Sequence, residues 1–526
     1  MLKIIGSNPP ALQQRLINCA QAGGRVIVIV PEQYTLQIER DLMDGLEAAG
    51  FFDLEVLSPS RLTERVFARA GTDSRVRIDA RGKQLALARA LLGCKKQLRY
   101  YESAVDKQGF IQRAGTLIAD LKRAGVSPDQ LQAHADALPE GAARDKLQDL
   151  ALLFTAYEEQ LAGQFVDGED VQDAMLARLP DSGIAQDAQV IVYGFDVLTG
   201  QMNHLLLALS AQAAETTVLI ALERQDAFAP VLESVGRLRR AAEEAGIPCA
   251  FSMVPAADGM RAPELSHLGR EYLCVPGTPW EGPCGRIRLF AAPSPYFEAH
   301  FAAQEMLLLH ERGVAFGDMA VVMGDSGFAG LLSTVLADYR IPAYIARKLP
   351  AASHGAARFL LSSLAAIGGG YPATDMIGVI KSGYAPLDEQ ECWLLENYIL
   401  SYGIRGKHWL SPFTRGSDEE RAAIEDARAR LIAPMEALRH ALAQAPDAGQ
   451  ALRMIYAYLD ETQVYPQLQE TQEQLLAEGM AAEAVQAKQV WDALMQLLSQ
   501  AYALLGNAKV SARQLSSWLE AGLEAC

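Results

Sequence analysis

The sequence predicts an α/β protein built on parallel sheets with large helical insertions. Three observations predict it. Short apolar runs such as Arg25-Val26-Ile27-Val28-Ile29-Val30 have the composition of parallel strands buried on both faces. These runs alternate with helical periodicity near the N-terminus, around residues 189–222 and again at 287–345. The long stretches between and after them carry helical periodicity alone. At 526 residues the chain is too long for one core, so three or four packing units are expected.

In chain order, Leu2 to Ile5 reads as a buried strand. Asn8 can cap the helix that follows, Pro9 suits its first turn, and Leu12, Leu16 and Ile17 give it an apolar face. Arg25 to Val30 is the second strand, and Pro31 ends it. A helix from about Thr35 to Ala49 leads to a third strand at Leu54 to Leu57. From Ile78 to Leu179 only helices are expected, among them Gly82 to Leu92, Phe110 to Arg123 and Arg144 to Leu161. Strands return at Gln189 to Tyr193 and Thr217 to Leu222, with the helix Met202 to Ala214 between them. Pro276, Gly277, Pro279, Gly282 and Pro283 mark a linker. A second α/β pattern follows, with strands at Ile287 to Phe290, Asp318 to Met323 and Ala343 to Ile345. Its helices run from Tyr296 to Glu311 and from Gly327 to Tyr339. Beyond Gly368-Gly369-Gly370 everything reads as helix, including Glu420 to Ala443 and Ala481 to Leu505. The pattern is still helical at Cys526, with no Gly or Pro stop signal, so a piece of a longer protein is expected.

Composition narrows the function classes. No apolar run is long enough to span a bilayer, and Met1 to Gly6 is too short for a secretory leader, so a cytoplasmic protein with no membrane role is expected. The seven cysteines form no CxxC pair, which leaves free thiols rather than a zinc or iron–sulfur site. The net charge of −17 argues against nucleic-acid binding by the whole surface. One segment differs: from Arg61 to Arg123 fifteen basic residues stand against six acidic ones. Such a local field suits a phosphate backbone; the plain alternative is a helical face whose counter-charges lie elsewhere in the fold.

The N-terminal strand, loop and helix are laid out like a phosphate-binding loop without its working residues. That loop, G-x-x-x-x-G-K-[ST], uses glycines for backbone approach, a lysine for the outer phosphates and a hydroxyl for magnesium. Counted from Gly6, with Ser7 beside it, the required positions hold Ala11, Leu12 and Gln13. Pro9 and Pro10 remove two N–H donors, leaving a helix N-terminus that attracts an anion weakly at best. The matching acidic strand fails as well: Tyr193 and Gly194 stand where Asp-Glu is expected, and Asp196 falls in the turn beyond, where it suits a helix cap. The chain is therefore not expected to hydrolyse ATP by itself. Gly324-Asp325-Ser326-Gly327 echoes a serine-protease nucleophile loop but lacks the surrounding β-barrel pattern. Asp167-Gly168-Glu169-Asp170 has cation-binding residue types, though a solvated loop is the simpler reading. The eight histidines show no metal-ligand spacing, and no catalytic or metal residue is assigned.

Several segments together resemble the AddB/RexB family, the B subunit of the bacterial ATP-dependent helicase–nuclease that processes DNA double-strand breaks. They are Val30-Pro31-Glu32-Gln33-Tyr34-Thr35, Leu57-Ser58-Pro59-Ser60-Arg61-Leu62, Asp106-Lys107-Gln108-Gly109-Phe110 and Asp120-Leu121-Lys122-Arg123. Tyr193-Gly194-Phe195-Asp196-Val197-Leu198-Thr199-Gly200-Gln201 is similar to the family's degenerate acidic motif. Asp318-Met319-Ala320-Val321-Val322, Leu395-Glu396-Asn397-Tyr398, Gly403-Ile404-Arg405-Gly406 and Trp409 resemble its second half. The matches run in family order from residue 1 to about 413.

The resemblance implies a superfamily 1 helicase-like fold of tandem RecA-like parallel sheets. Domain 1A would comprise 1–77 and 180–275, helical insertion 1B 78–179, the start of domain 2A 284–367, and a truncated insertion 2B 368–526. It implies a non-motor, Chi-scanning, DNA-binding role in double-strand break repair by homologous recombination. The partner would be AddA/RexA, which supplies the motor, and the ligand single-stranded and duplex-end DNA. Some family members keep an intact phosphate loop and RexB-type members tend to lose it; this sequence departs in the RexB direction. The nuclease, its magnesium and its iron–sulfur cluster would lie beyond residue 526, so no cofactor is expected here. Carried over by position, Gln33, Thr35, Arg61 and Phe195 are the implied DNA contacts, with Phe195 offering a stacking face. The competing expectations are an active helicase with a non-standard site and a purely structural scaffold for the motor subunit.

Overall fold

The computed structural model describes residues 1–526 except 22–23, 49, 51, 106–108, 223–227, 257–261, 326, 346–349 and 525–526. Asp106 to Gln108, Ser326 and Cys526, each singled out above, lie outside the described residues. The chain divides into two compact units: one comprises 1–223, 229–255 and 350–526, the other 224–228 and 256–349.

In the first unit, β1 (Leu2–Ser7), α1 (Pro9–Gln21), β2 (Val26–Ile29), α2 (Thr35–Gly45), β3 (Leu54–Leu57) and α3 (Pro59–Ala70) alternate as the apolar runs predict. The second helix stops at Gly45, short of the expected Ala49. Next come β4 (Val76–Arg77), α4 (Ala80–Cys94), α5 (Phe110–Arg123), α6 (Pro128–Ala137), α7 (Ala142–Leu161), β5 (Phe165–Val166) and α8 (Gly168–Ser182). The two-residue strands β4 and β5 pair in parallel, which corrects the expectation of helices alone across this stretch. Two residues are too few to carry a readable strand period.

The sheet resumes with β6 (Gln189–Tyr193), α9 (Gly200–Ser210), β7 (Glu215–Ala221), α10 (Ala229–Glu244) and β8 (Cys249–Met253). Six strands form one parallel sheet in the order β3-β2-β6-β7-β1-β8. The β8 edge strand was not expected from sequence, because Cys-Ala-Phe-Ser-Met lacks a branched apolar run and stays largely exposed. On one face Leu12, Leu16, Ile38 and Leu42 pack against Val26 and Val28. Ile27 and Ile29 are also buried and by alternation face the opposite side.

In the second unit, α11 (Pro263–Glu271), α12 (Pro295–Glu311) and α13 (Phe328–Asp338) form as helices. The strands expected at 287–290, 318–323 and 343–345 do not form among the described residues. Leu289 and Val322 are almost fully exposed there, none of the three stretches has a ladder partner among the described residues, and Asp318 closes the 3-10 turn Phe316–Asp318. A strand needs at least one paired neighbour for its backbone N–H and C=O groups, and the apolar pattern alone does not supply one.

The remaining helices return to the first unit. They are α14 (Gly355–Gly369), α15 (Ala373–Ile380), α16 (Glu389–Tyr402), α17 (Asp418–Gln444), α18 (Ala448–Glu461), α19 (Val464–Ala477), α20 (Ala481–Leu505) and α21 (Ala512–Glu524). Gly370 ends α14 in the left-handed conformation, so the glycine run does mark a break. The stretch from 350 to 367 nevertheless packs with these helices rather than with α12 and α13. One continuous core joins Leu85 and Leu91 of α4 to Phe359, Leu497 and Trp518. Arg81 donates to the Ala493 carbonyl at 3.1 Å, and Arg89 to that of Leu504. The α4 insertion and the C-terminal helices thus share one apolar interior.

Candidate nucleic-acid interface

The degenerate phosphate loop is filled by its own chain. A Cβ on Gly6 would stand 2.7 Å from Met253 Sδ and 3.2 Å from Leu222 Cβ, so strand packing accounts for this glycine. Ser7 is buried, and its hydroxyl donates to the Val254 carbonyl at 2.9 Å. At the start of α1, Pro9 and Pro10 have no N–H, the Ala11 N–H is taken by Asn8 Oδ1 at 3.2 Å, and the Leu12 N–H by the Asn8 carbonyl. The weak anion site expected here is therefore closed. Leu12 lies in the sheet core. Gln13 donates to Asp41 at 3.1 Å, and Gln37 donates to the same carboxylate at 2.7 Å. Burial and the Asp41 charge both push the Tyr193 hydroxyl up. Asp41 thus sets a negative charge beside Gln13 and Tyr193, which is adverse to a polyphosphate.

Gly194 follows β6 with φ +83°, a conformation suited to glycine. A Cβ there would meet Pro31 at 3.3 Å and Tyr34 at 3.6 Å. Phe195 is half-buried and Asp196 exposed. The cap expected of Asp196 is made instead by Thr199, whose hydroxyl accepts from the Met202 N–H.

The DNA contacts implied by resemblance come together at one edge. β3, β2 and β6 are successive neighbours, and Ile29 aligns with both Leu57 and Val192. Their C-terminal ends release Ser58 to Arg61, Pro31 to Thr35, and Gly194 to Phe195, respectively. Gln33 is exposed on a single 3-10 turn, Glu32–Tyr34. Thr35 opens α2 and is only 8 % exposed, and its hydroxyl has no hydrogen-bond partner among the described residues. Unlike α1, α2 has no side-chain cap; the 3-10 turn runs directly into it, and its start lies at the same edge. Arg61 is exposed and only loosely paired with Glu39, at 3.7 Å.

Glu32 joins two of these ends. Its carboxylate accepts from the Ser60 N–H at 2.9 Å and the Ser60 hydroxyl at 2.8 Å. Burial pushes this carboxyl up, but hydrogen bonds from Ser58 and Ser60 and the Arg61 charge outweigh it and hold the group below its ordinary value. Two further arginines extend the set: Arg61, Arg65 and Arg69 recur every fourth residue opposite the buried Leu62, Val66 and Phe67 of α3. Arg65 is paired with Glu55 at 3.6 Å, and an open cleft of about 570 Å³ lies beside Arg61 and Arg65 along the outer edge of β3. The i, i+4, i+8 spacing was legible in sequence; the Glu32 contact, across 28 positions, was not.

Much of the basic segment is neutralised within the fold. Besides Arg61 and Arg65, Arg75 pairs with Asp73, Arg81 with Asp79, Lys83 with Glu169, and Arg123 with Asp120. Lys122 is nearly buried against Glu158, Asp167 and Asp170, at 2.8, 2.9 and 2.6 Å. Asp167 is neither a solvated loop residue nor free for a cation: it caps α8 and accepts from Lys122 and the Tyr157 hydroxyl. Lys107 apart, Arg69, Arg77, Lys96, Arg99 and Arg113 are exposed without an ion pair among the described residues.

A family model described as ADDB, N-terminal, matches residues 12–269. A relative from Desulforudis audaxviator is 30% identical over 546 residues, covering 96% of this chain and 47% of its own length. One from Symbiobacterium thermophilum is 30% identical over 572 residues, covering 99% and 49%. One from Alkaliphilus metalliredigens is 26% identical over 532 residues, covering 95% and 46%. All three are named as the B subunit of an ATP-dependent helicase/deoxyribonuclease. The chain spans about half the length of the curated relatives it matches.

Proposed function

Because this chain belongs to the AddB/RexB family, we propose that it is the DNA-tracking, non-motor portion of a helicase–nuclease subunit acting in double-strand break repair. The observation that carries this reading is the convergence of Gln33, Thr35, Arg61 and Phe195 at the C-terminal ends of three adjacent strands. Arg61 supplies charge to a phosphate, the start of α2 and the Thr35 hydroxyl supply dipole and hydrogen bonding, Gln33 reaches a base edge, and Phe195 offers an aromatic face. The closed phosphate loop supports a track that does not itself burn ATP.

In this reading the six-stranded sheet is domain 1A, residues 78–179 are insertion 1B, residues 284–367 correspond to the start of domain 2A although its expected strands do not form among the described residues, and residues 368–526 belong to insertion 2B. A motor subunit of the AddA/RexA type is the partner, single-stranded and duplex-end DNA the ligand, and the cytoplasm the compartment. No described helix is long and apolar enough to cross a membrane.

A structural scaffold without DNA contact is the competing reading, and the Arg61–Glu39 and Arg65–Glu55 pairs favour it. Fluorescence titration with a single-stranded oligonucleotide separates the two. The track predicts saturable binding that falls at least tenfold in the Gln33→Ala, Arg61→Ala double variant. Equal affinity in wild type and variant supports the scaffold.

A further inference from the structure

Tyr34 has an unusual setting for an aromatic side chain at a strand end. It closes the 3-10 turn after β2, its N–H donating to the Pro31 carbonyl at 2.9 Å, and it is 45 % exposed. The ring lies against Gly194, where a Cβ would stand 3.6 Å from Tyr34 Cδ2. Gly194 therefore backs the ring while much of the side chain stays open to solvent. Phe195 is the next residue after Gly194, so two aromatic residues, Tyr34 and Phe195, follow the ends of the paired strands β2 and β6. An exposed aromatic with a fixed backing is the element a sequence-tolerant single-strand track needs, because every base has a π-face.

The turn that carries Tyr34 is held from the other side. Glu32 accepts both the backbone N–H and the hydroxyl of Ser60, two residues after Ser58 caps α3. This bond ties the turn after β2 to the helix start that presents Arg61 after β3. A carboxylate in a phosphate track opposes binding electrostatically, so its presence between Gln33 and Arg61 calls for a compensating role.

We propose that Tyr34, seated on Gly194, is a base-stacking shelf of the DNA track, and that Glu32 is its positioning residue through Ser60. The proposal rests on the DNA-tracking reading and adds to it one contact residue and one residue that acts through others.

The test is a titration of the full chain with fluorescein-labelled oligo(dT) at several salt concentrations, with folding checked by circular dichroism. Tyr34→Ala weakens binding by about fivefold to a hundredfold, the range expected for one stacked base. Its salt dependence stays that of wild type, because no phosphate contact is lost. Tyr34→Phe binds within about twofold of wild type, since the ring is kept. Glu32→Ala weakens binding although it removes a negative charge, whereas Glu32→Gln, which can still accept from Ser60, recovers most of the affinity. A repulsive or idle Glu32 gives tighter or unchanged binding in Glu32→Ala and overturns the positioning role. Wild-type affinity in Tyr34→Ala, with Arg61→Ala impaired, overturns the shelf and leaves the track standing. If neither Tyr34→Ala nor Arg61→Ala changes affinity, the DNA-tracking reading itself falls.

Discussion

Asn8 occupies, with its own side chain, the helix start where a phosphate would otherwise bind. Asn8→Ala should cost about 1 kcal/mol of stability through the lost cap. It should create no affinity for ATP, because Pro9 and Pro10 still offer no N–H; thermal midpoints with and without a non-hydrolysable ATP analogue check both statements. The glycine at position 6 carries a related lesson. In sequence it is the one surviving residue of a phosphate loop, whereas in the fold it is the residue that fits between Leu222 and Met253. The losses at Ala11, Leu12, Gln13, Tyr193 and Gly194 were legible because a phosphate site needs particular side chains at fixed spacing. What fills the space was not legible, since Val254 and Met253 reach it from more than 240 positions away.

At the scale of elements, the buried parallel strands were readable because each is a short run of branched apolar residues. The edge strand β8 was not, and the apolar runs at 287–290 and 318–323 illustrate the converse: strand composition does not make a strand without partners. The charge excess of the 61–123 segment is plain in the sequence, but the carboxylates that pair with Arg61, Arg65, Lys83 and Lys122 lie outside it. The Lys122 network ties α5 to α7 and α8 and carries a pH signature. Burial, then the neighbouring Asp167 charge, push the Asp170 carboxyl up to about 6, against the lowering effect of Lys122. A carboxyl raised in the folded state binds its proton more tightly there than in the unfolded chain. Its contribution to stability is therefore lost as pH rises from about 4 to 6. Asp170→Asn should gain on wild type across that interval, by roughly 1–3 kcal/mol. Urea denaturation at pH 4.5 and 7 measures it, and parallel curves would refute the assignment. Gly82 sits in the first turn of α4, where a Cβ would stand 2.6 Å from Ile78 Cβ and also meet Gln500 of α20. Gly82→Val should lower stability by about 1–3 kcal/mol through overpacking, and the same denaturation assay reads it.

For the whole molecule, a net charge of −17 forces any nucleic-acid contact to be local. The edge formed by β3, β2 and β6 meets that requirement: it gathers an arginine stripe, a helix start and two aromatic residues at the C-terminal ends of adjacent strands. A few strands away, the ends of β1 and β8 are closed over the place where a nucleotide would sit. In the proposed function these two regions have opposite fates, one available to DNA and the other shut to ATP. The direct measurement is the affinity of this chain for single-stranded DNA with and without magnesium–ATP, with phosphate release followed in the same samples. The proposed track predicts saturable DNA binding that ATP leaves unchanged, and no phosphate release above buffer. DNA-stimulated ATP turnover, or an affinity that shifts with ATP, would contradict it.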